Sequence, residues 1–210
     1  LVVTQSAPDA DSVLLSAVSN AASYQAGGVA PGEFVVLFGR NIGPAAFAFA
    51  AVESNRFGTT AGSTRVLFDG VAAPLYYAGA NQTVAIVPYS VFGKTQTQVQ
   101  VERLGNKSNA VLLDVADAAP GIFTQAQSGS GAGSILNQDF SVNSSANPAA
   151  RGTTVAVFAT GEGQTNPGGS DGLVAVDATL PKPLLAVTAT VALLVGLQST
   201  GDKDKLVALG

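Results

Sequence analysis

Short runs of β-forming residues, each closed by a turn, recur along the first half of the chain at intervals of about ten residues. Phe34-Val35-Val36-Leu37-Phe38 is bounded by Pro31-Gly32 and Gly39. Arg65-Val66-Leu67-Phe68 ends at Asp69-Gly70, a strong hairpin signal because both positions tolerate positive φ. Leu75-Tyr76-Tyr77 and Val84-Ala85-Ile86-Val87 flank a turn at Gly79-Ala80-Asn81. Thr95 to Val101 and Asn109 to Val115 flank another at Gly105-Asn106. Such spacing predicts an all-β sandwich or barrel. Helical signal is weak: Asp11 to Ala22 is rich in Ala and Ser and allows a turn or two, and Ala45 to Val52 reads as a loop.

A second β region starts near Ala119-Pro120-Gly121-Ile122-Phe123. Ser134 to Asn137 and Ser141 to Asn143 form an expected hairpin about Gln138-Asp139. Thr153 to Ala159 reads as a buried strand, Gly161 to Gly172 as a long loop, and Leu184 to Leu197 as strand. The two regions match at a constant offset. Ala30, Gly32, Val35, Phe38 and Gly43 recur as Ala150, Gly152, Val155, Phe158 and Gly163. The repeat predicts two tandem immunoglobulin-like β-sandwich modules. Their expected bounds are an N-terminal strand and linker over 1–12, a first sandwich over 13–117, and a second over 118–210. The second runs out of chain early: Val187 to Leu193, the counterpart of Thr64 to Phe68, stands close to the end. It is expected to lack its closing strands and to leave an edge open to strand addition.

Composition narrows the chemistry. Charged residues are 11%, against about 25% in an average domain. The net charge of −4 is spread without a basic cluster, which argues against nucleic acid as a partner. No apolar run is long enough for a membrane span. The chain has no His, Cys, Met or Trp. Ser-His-Asp and Cys-His nucleophilic sites, disulfides and thiolate metal sites are thereby excluded. Gly168-Gly169-Ser170-Asp171-Gly172 matches the nucleophile-elbow pattern but has no histidine base. The four glutamates, Glu33, Glu53, Glu102 and Glu162, show no pairing suited to glycoside hydrolysis, and the usual sugar-stacking Trp is missing. Asp9 with Asp11, and Asp202 with Asp204, lack the loop spacing of a calcium site. The expectation is a protein that is not an enzyme and uses no cofactor.

Several motifs, in order, resemble an uncharacterised domain family of secreted proteins of Solibacter-type acidobacteria. They include Asn20-Ala21-Ala22-Ser23-Tyr24, Val29-Ala30-Pro31-Gly32-Glu33 and Leu37-Phe38-Gly39. Asp69-Gly70-Val71-Ala72-Ala73-Pro74-Leu75, Val87-Pro88-Tyr89 and Ala119-Pro120-Gly121-Ile122-Phe123 follow. Ile135-Leu136-Asn137-Gln138-Asp139, Asn147-Pro148-Ala149-Ala150-Arg151-Gly152 and Ala159-Thr160-Gly161-Glu162-Gly163-Gln164-Thr165 complete the set. Together they span about residues 17 to 185. The resemblance implies paired Ig-like modules of the IPT/TIG type at the ends of large exported proteins, with no catalytic activity and no functional residues to carry over. The chain departs from the pattern after Leu185.

Two functional expectations follow. The first is an extracellular or cell-surface bacterial structural subunit that assembles into head-to-tail filaments with copies of itself. Its assembly strand is Leu1, Val2, Val3, Thr4 and Gln5, donated to the incomplete second module of a neighbour. The alternative is an adhesin or carbohydrate-binding module of a larger secreted protein, with glycans as partners. There the loops Gly39 to Thr60 and Gly161 to Pro183 carry recognition. Asn81, Asn106 and Asn143 head Asn-X-Ser/Thr sequons and are candidate glycosylation acceptors.

Overall fold

The computed structural model describes residues 12–174, 180–189 and the backbone of Lys205–Leu206. It is all-β, built of antiparallel sheets. The first half supplies twelve strands: β1 (Leu14–Asn20), β2 (Phe34–Arg40), β3 (Ala48–Phe49), β4 (Val52–Glu53), β5 (Arg56–Phe57), β6 (Thr64–Phe68), β7 (Val71–Ala72), β8 (Leu75–Ala78), β9 (Gln82–Ile86), β10 (Gln96–Arg103), β11 (Asn106–Lys107) and β12 (Val111–Asp114). They form two main sheets. One has the order β1-β2-β9-β8-β3; the other has β11-β10-β6-β7, with β12 also paired to β10. β4 and β5 pair with each other as a separate hairpin.

The period of two along each strand decides what is buried. Val35 and Leu37 on β2, Leu75 on β8 and Ala85 on β9 face inward from the first sheet. Val66 and Phe68 on β6, with Val99 and Val101 on β10, meet them from the second. All are essentially inaccessible, and each large aliphatic side chain so buried stabilises the fold by about 1.5–3 kcal/mol. Asp69 and Gly70 take φ of 50° and 83°, the left-handed pair that lets β6 turn tightly into β7.

Residues 14–20, where the sequence allowed a helical turn, are a strand. β1 pairs with β2 from Leu14↔Arg40 to Asn20↔Val35, with a bulge between Leu15 and Ala17. At that bulge Asn109 Oδ1 accepts from the Leu15 N–H at 2.9 Å, and Asn109 Nδ2 donates to the Leu15 carbonyl at 3.0 Å. A side chain from the second sheet's side thus completes the edge of the first. The helix preference of Ala and Leu yields to burial of Leu15 and Val18, which tertiary packing makes worth more.

The second half is assembled from shorter pieces: β13 (Gly121–Ile122), β14 (Ile135–Leu136), β15 (Ala149–Ala150), β16 (Ala156–Val157), β17 (Ala159–Thr160), β18 (Thr165–Asn166), β19 (Lys182–Pro183) and β20 (Lys205–Leu206). They pair as β13-β17, β14-β16, β15-β20 and β18-β19. The expected hairpin about Gln138-Asp139 is present: the Asn137 N–H donates to the Ser141 carbonyl, and Leu136 bridges Val142.

Thr153 to Ala159 is not the buried strand that the repeat predicts. Every residue of it is exposed, Val157 by 46% and Phe158 by 51%. Its counterpart β2 has a strand on each side and a second sheet beneath it. β16 and β17 each have one two-residue partner, and among the described residues nothing covers their outer side chains. Leu184 to Ala189 is described without strand, and the rest of the stretch expected to run to Leu197 lies outside the described residues.

Candidate functional site

The outer face of the first sheet is also apolar. Phe34 and Val36 on β2, with Val84 and Ile86 on β9, alternate with the core-facing set and point the other way. Val36, Val84 and Ile86 are nonetheless buried. Part of this face is the floor of a cleft with a volume of about 270 Å³. Phe34, Ile86, Phe57 and Tyr89 line it from the first half, and Ala159, Thr160, Glu162, Ser170, Gly172, Leu173 and Val174 form the wall from the second.

Hydrogen bonds from the second half hold that wall in place. The Phe34 N–H donates to Thr160 Oγ1 at 2.7 Å. The Tyr89 N–H donates to Asp171 Oδ1 at 2.7 Å. Phe57 N–H reaches the Gly172 carbonyl at 2.9 Å, and Val174 N–H the Asn55 carbonyl at 2.8 Å. Arg56 donates to the Asp171 carbonyl and, at 3.1 Å, to Ser170 Oγ. Gly169 lies flat on the Tyr89 ring: a Cβ there would stand 2.1 Å from ring carbons, so only glycine permits the approach. The β4–β5 hairpin and the 161–174 loop, far apart in sequence, are therefore one wall.

A series of aromatic rings leads away from the cleft. Phe34 meets Phe57 edge-on at 6.5 Å, Phe57 meets Tyr76 at 5.9 Å, and Tyr76 meets Phe49 at 5.8 Å. Phe49 continues to Tyr77 at 6.0 Å and Tyr77 to Phe47 at 5.1 Å. Edge-to-face pairs of this kind favour the observed spacing beyond simple burial. The outer members stay in water: Phe47 is 63% exposed, Phe49 66% and Tyr76 44%. An aromatic surface is thus built without Trp. Single exposed aromatics are ordinary, but six rings in contact beside a cleft are a patch of the kind that marks interaction sites.

Residues with polar side chains line the cleft, among them Tyr89, Glu162 and Ser170. Partial burial pushes the Glu162 carboxyl above its ordinary range. Burial, and then the negative charges of Glu162 and Asp171, push the Tyr89 hydroxyl up as well. Arg56 brings guanidinium donors to the rim through its contact with Ser170. The cleft therefore offers ring faces, a hydroxyl, a carboxyl and guanidinium N–H groups together, a lining suited to an uncharged or zwitterionic polar ligand with an apolar face.

Of the loops over 39–60 and 161–183, expected from sequence to carry recognition, Asn55, Arg56 and Phe57 meet Ser170, Asp171, Gly172 and Val174 in this site. Strand residues supply much of the rest, and Phe34, Tyr76, Tyr77, Ile86 and Tyr89 were not anticipated. Their signal was faint: Tyr76 beside Tyr77 in a strand puts a ring on an outward position, but alternation cannot say what shares that face. Ser170 and Asp171 serve as hydrogen-bond acceptors in the cleft wall.

The other candidate residues are scattered. Leu1, Val2, Val3, Thr4 and Gln5 lie outside the described residues, as do Asp9, Asp11, Asp202 and Asp204. Asn81 is exposed in the turn between β8 and β9, and Asn106 is exposed at the start of β11. Asn143 is buried, and its Nδ2 donates to Asn137 Oδ1 at 2.8 Å, so in the folded chain that nitrogen is turned inward. No helix among the described residues is long and apolar enough to cross a membrane.

Comparison with known protein families and with curated proteins finds no match.

Proposed function

We propose that the chain is a non-enzymatic, exported recognition module of paired immunoglobulin-like sandwiches that binds carbohydrate at the cleft and along its aromatic rings. The meeting of the β4–β5 hairpin with the 161–174 loop, next to six contacting rings, carries this reading. A pyranose has an apolar C–H face and a rim of hydroxyls. The exposed rings of Phe49 and Tyr76 suit the face. Tyr89, Glu162 and Arg56 offer the hydroxyls donors and acceptors. The low charge of the chain fits a neutral ligand, and the likeness to acidobacterial secreted domains fits export.

The test is a glycan array on the purified chain, followed by titration of the best ligand against Phe49→Ala and Tyr76→Ala. Loss of a stacked ring is expected to weaken binding about tenfold or more, corresponding to about 1.4 kcal/mol, with the unfolding midpoint unchanged. No binding at millimolar glycan, or binding indifferent to both substitutions, sinks the reading.

Self-assembly by strand addition is a second reading, favoured by the uncovered segment Thr153 to Ala159 with Val155, Val157 and Phe158 turned to solvent. Leu1 to Gln5 is the proposed donor strand. Deleting residues 1–8 is expected to abolish polymers seen by negative-stain microscopy. Polymers of unchanged length in the deletion rule it out.

A further inference from the structure

We propose that Asn20 and Glu33 form a proton-operated latch that holds the second half of the chain against the first sandwich, closed while Glu33 is protonated and released when it is ionised. This goes beyond ligand binding and stands whether or not the cleft takes sugar.

The geometry is that of a joint. Glu33 is 1% exposed and Asn20 is also buried. Asn20 Nδ2 donates to Glu33 Oε1 at 2.9 Å, and the same nitrogen donates to the Ala119 carbonyl at 2.9 Å. One amide thus ties a β2-side carboxyl to the segment that leads into the second half. Asn20 Oδ1 accepts from the Ala22 and Ser23 N–H groups, which fixes the orientation of that amide. The other carboxyl oxygen of Glu33, Oε2, accepts from the Ala30 N–H at 2.7 Å. The next residue, Phe34, makes the second tie through Thr160 Oγ1.

Among the described residues the carboxyl has no counter-charge. The titratable groups on the segments packed around it are Tyr24, Asp114, Asp117, Tyr89 and Glu162, none of them cationic. Two neutral donors soften the cost of a buried charge, but its remaining lone pairs still call for water. A route for water lies alongside, a groove of about 290 Å³ bounded by Asn20, Ser23, Gly28, Glu33, Ala116 and Ala119. Hydrating the carboxylate through that groove moves Ala119 away from Asn20. Burial, opposed by the Ala30 N–H and the Asn20 amide, pushes the Glu33 carboxyl up to about 7, so the change falls near neutral pH.

Hydrogen exchange followed by NMR on the full chain, corrected for intrinsic rates, reads both sides of the joint. Protection of the Phe34 and Ala119 amides is expected to fall about tenfold between pH 5.5 and 8.5, while Val66 in the core keeps its protection. In Glu33→Gln the two amides should stay protected at both pH values. An equal fall in Glu33→Gln, or no fall in the unaltered chain, overturns the latch. If Glu33→Gln does not fold, the ¹³C carboxyl shift of Glu33 decides. A midpoint near neutral pH together with the tenfold fall supports the latch, and a midpoint in the ordinary carboxylate range overturns it.

Discussion

Asp171 accepts a hydrogen bond from the Tyr89 N–H at 2.7 Å, across 82 residues of chain. Its own carbonyl accepts from Arg56. One residue therefore anchors the 161–174 loop to the turn after β9 and to the β4–β5 hairpin. Asp171→Ala strands a partly buried N–H and is expected to cost about 1–3 kcal/mol in urea unfolding. Asp171→Asn keeps an acceptor oxygen and should cost less. Equal losses would mean that charge, rather than the hydrogen bond, matters here.

Gly169→Ala drives a methyl group into the Tyr89 ring. The loop must lift to make room for it. The expected cost is about 1–3 kcal/mol, with chemical shifts changing at Tyr89 and in residues 161–174 but not at Val99. Two-dimensional NMR of the variant checks both halves of the statement.

Stability is expected to fall as pH rises through neutrality. Folding raises the Glu33 carboxyl from 4.5 to about 7, so the folded chain holds its proton more tightly than the unfolded one. The contribution is full below about 4.5 and is lost as pH rises through about 7, with an upper bound of about 3 kcal/mol. Glu33→Gln should remove this slope. Asp69 acts at the acid end. Its slight burial raises the carboxyl, but the Gln98 N–H, Lys94 and Thr97 outweigh that and hold it below the ordinary value. Its contribution is present above the ordinary carboxylate range and is lost as pH falls. Urea midpoints measured from pH 3 to 9 display both limbs.

Truncations should separate the halves energetically. Phe68→Ala empties the middle of the two-sheet core and is expected to cost about 3–5 kcal/mol. Val157→Ala removes a side chain already in solvent and should change stability by about 0.5 kcal/mol or less. Denaturant unfolding of the two variants tests the contrast, and a large loss at Val157 would mean that something covers it in solution.

Local chemistry was legible in the sequence. Asp69-Gly70 dictated its hairpin because both residues accept left-handed φ; Gln138-Asp139 marked the place of the second hairpin, although its left-handed residue is Phe140. The apolar run Phe34 to Phe38 marked a buried strand, but with no polar residue in it the sequence could not say that Val35 and Leu37, rather than Phe34 and Val36, face the two-sheet core. The internal repeat was real as a pattern yet misled at Thr153 to Ala159. Burial depends on what lies over a strand, and a repeat of one strand does not supply its covering sheet.

The two loops expected to carry recognition do converge, but no residue within them announces the partner. Phe57 meets Gly172 and Val174 meets Asn55 through backbone groups alone, which nearly every residue type carries, and the Asp171 carboxylate meets a backbone N–H at Tyr89, so side-chain identity on the first-half side holds little trace of the pairing. Glu33 is the sharper case. In the sequence it is one of four glutamates without a partner, beside the Pro31-Gly32 turn, and only the closure of Asn20, Ala30 and Ala119 around it makes it a buried carboxyl held by neutral donors. What the sequence by itself determined was the all-β character and the turns, since both arise from φ preferences and period-two burial within a few residues. The cleft, the ring series and the Asn20–Glu33 joint were decided by tertiary structure alone, because long-range contacts set the local dielectric and the neighbours of each side chain.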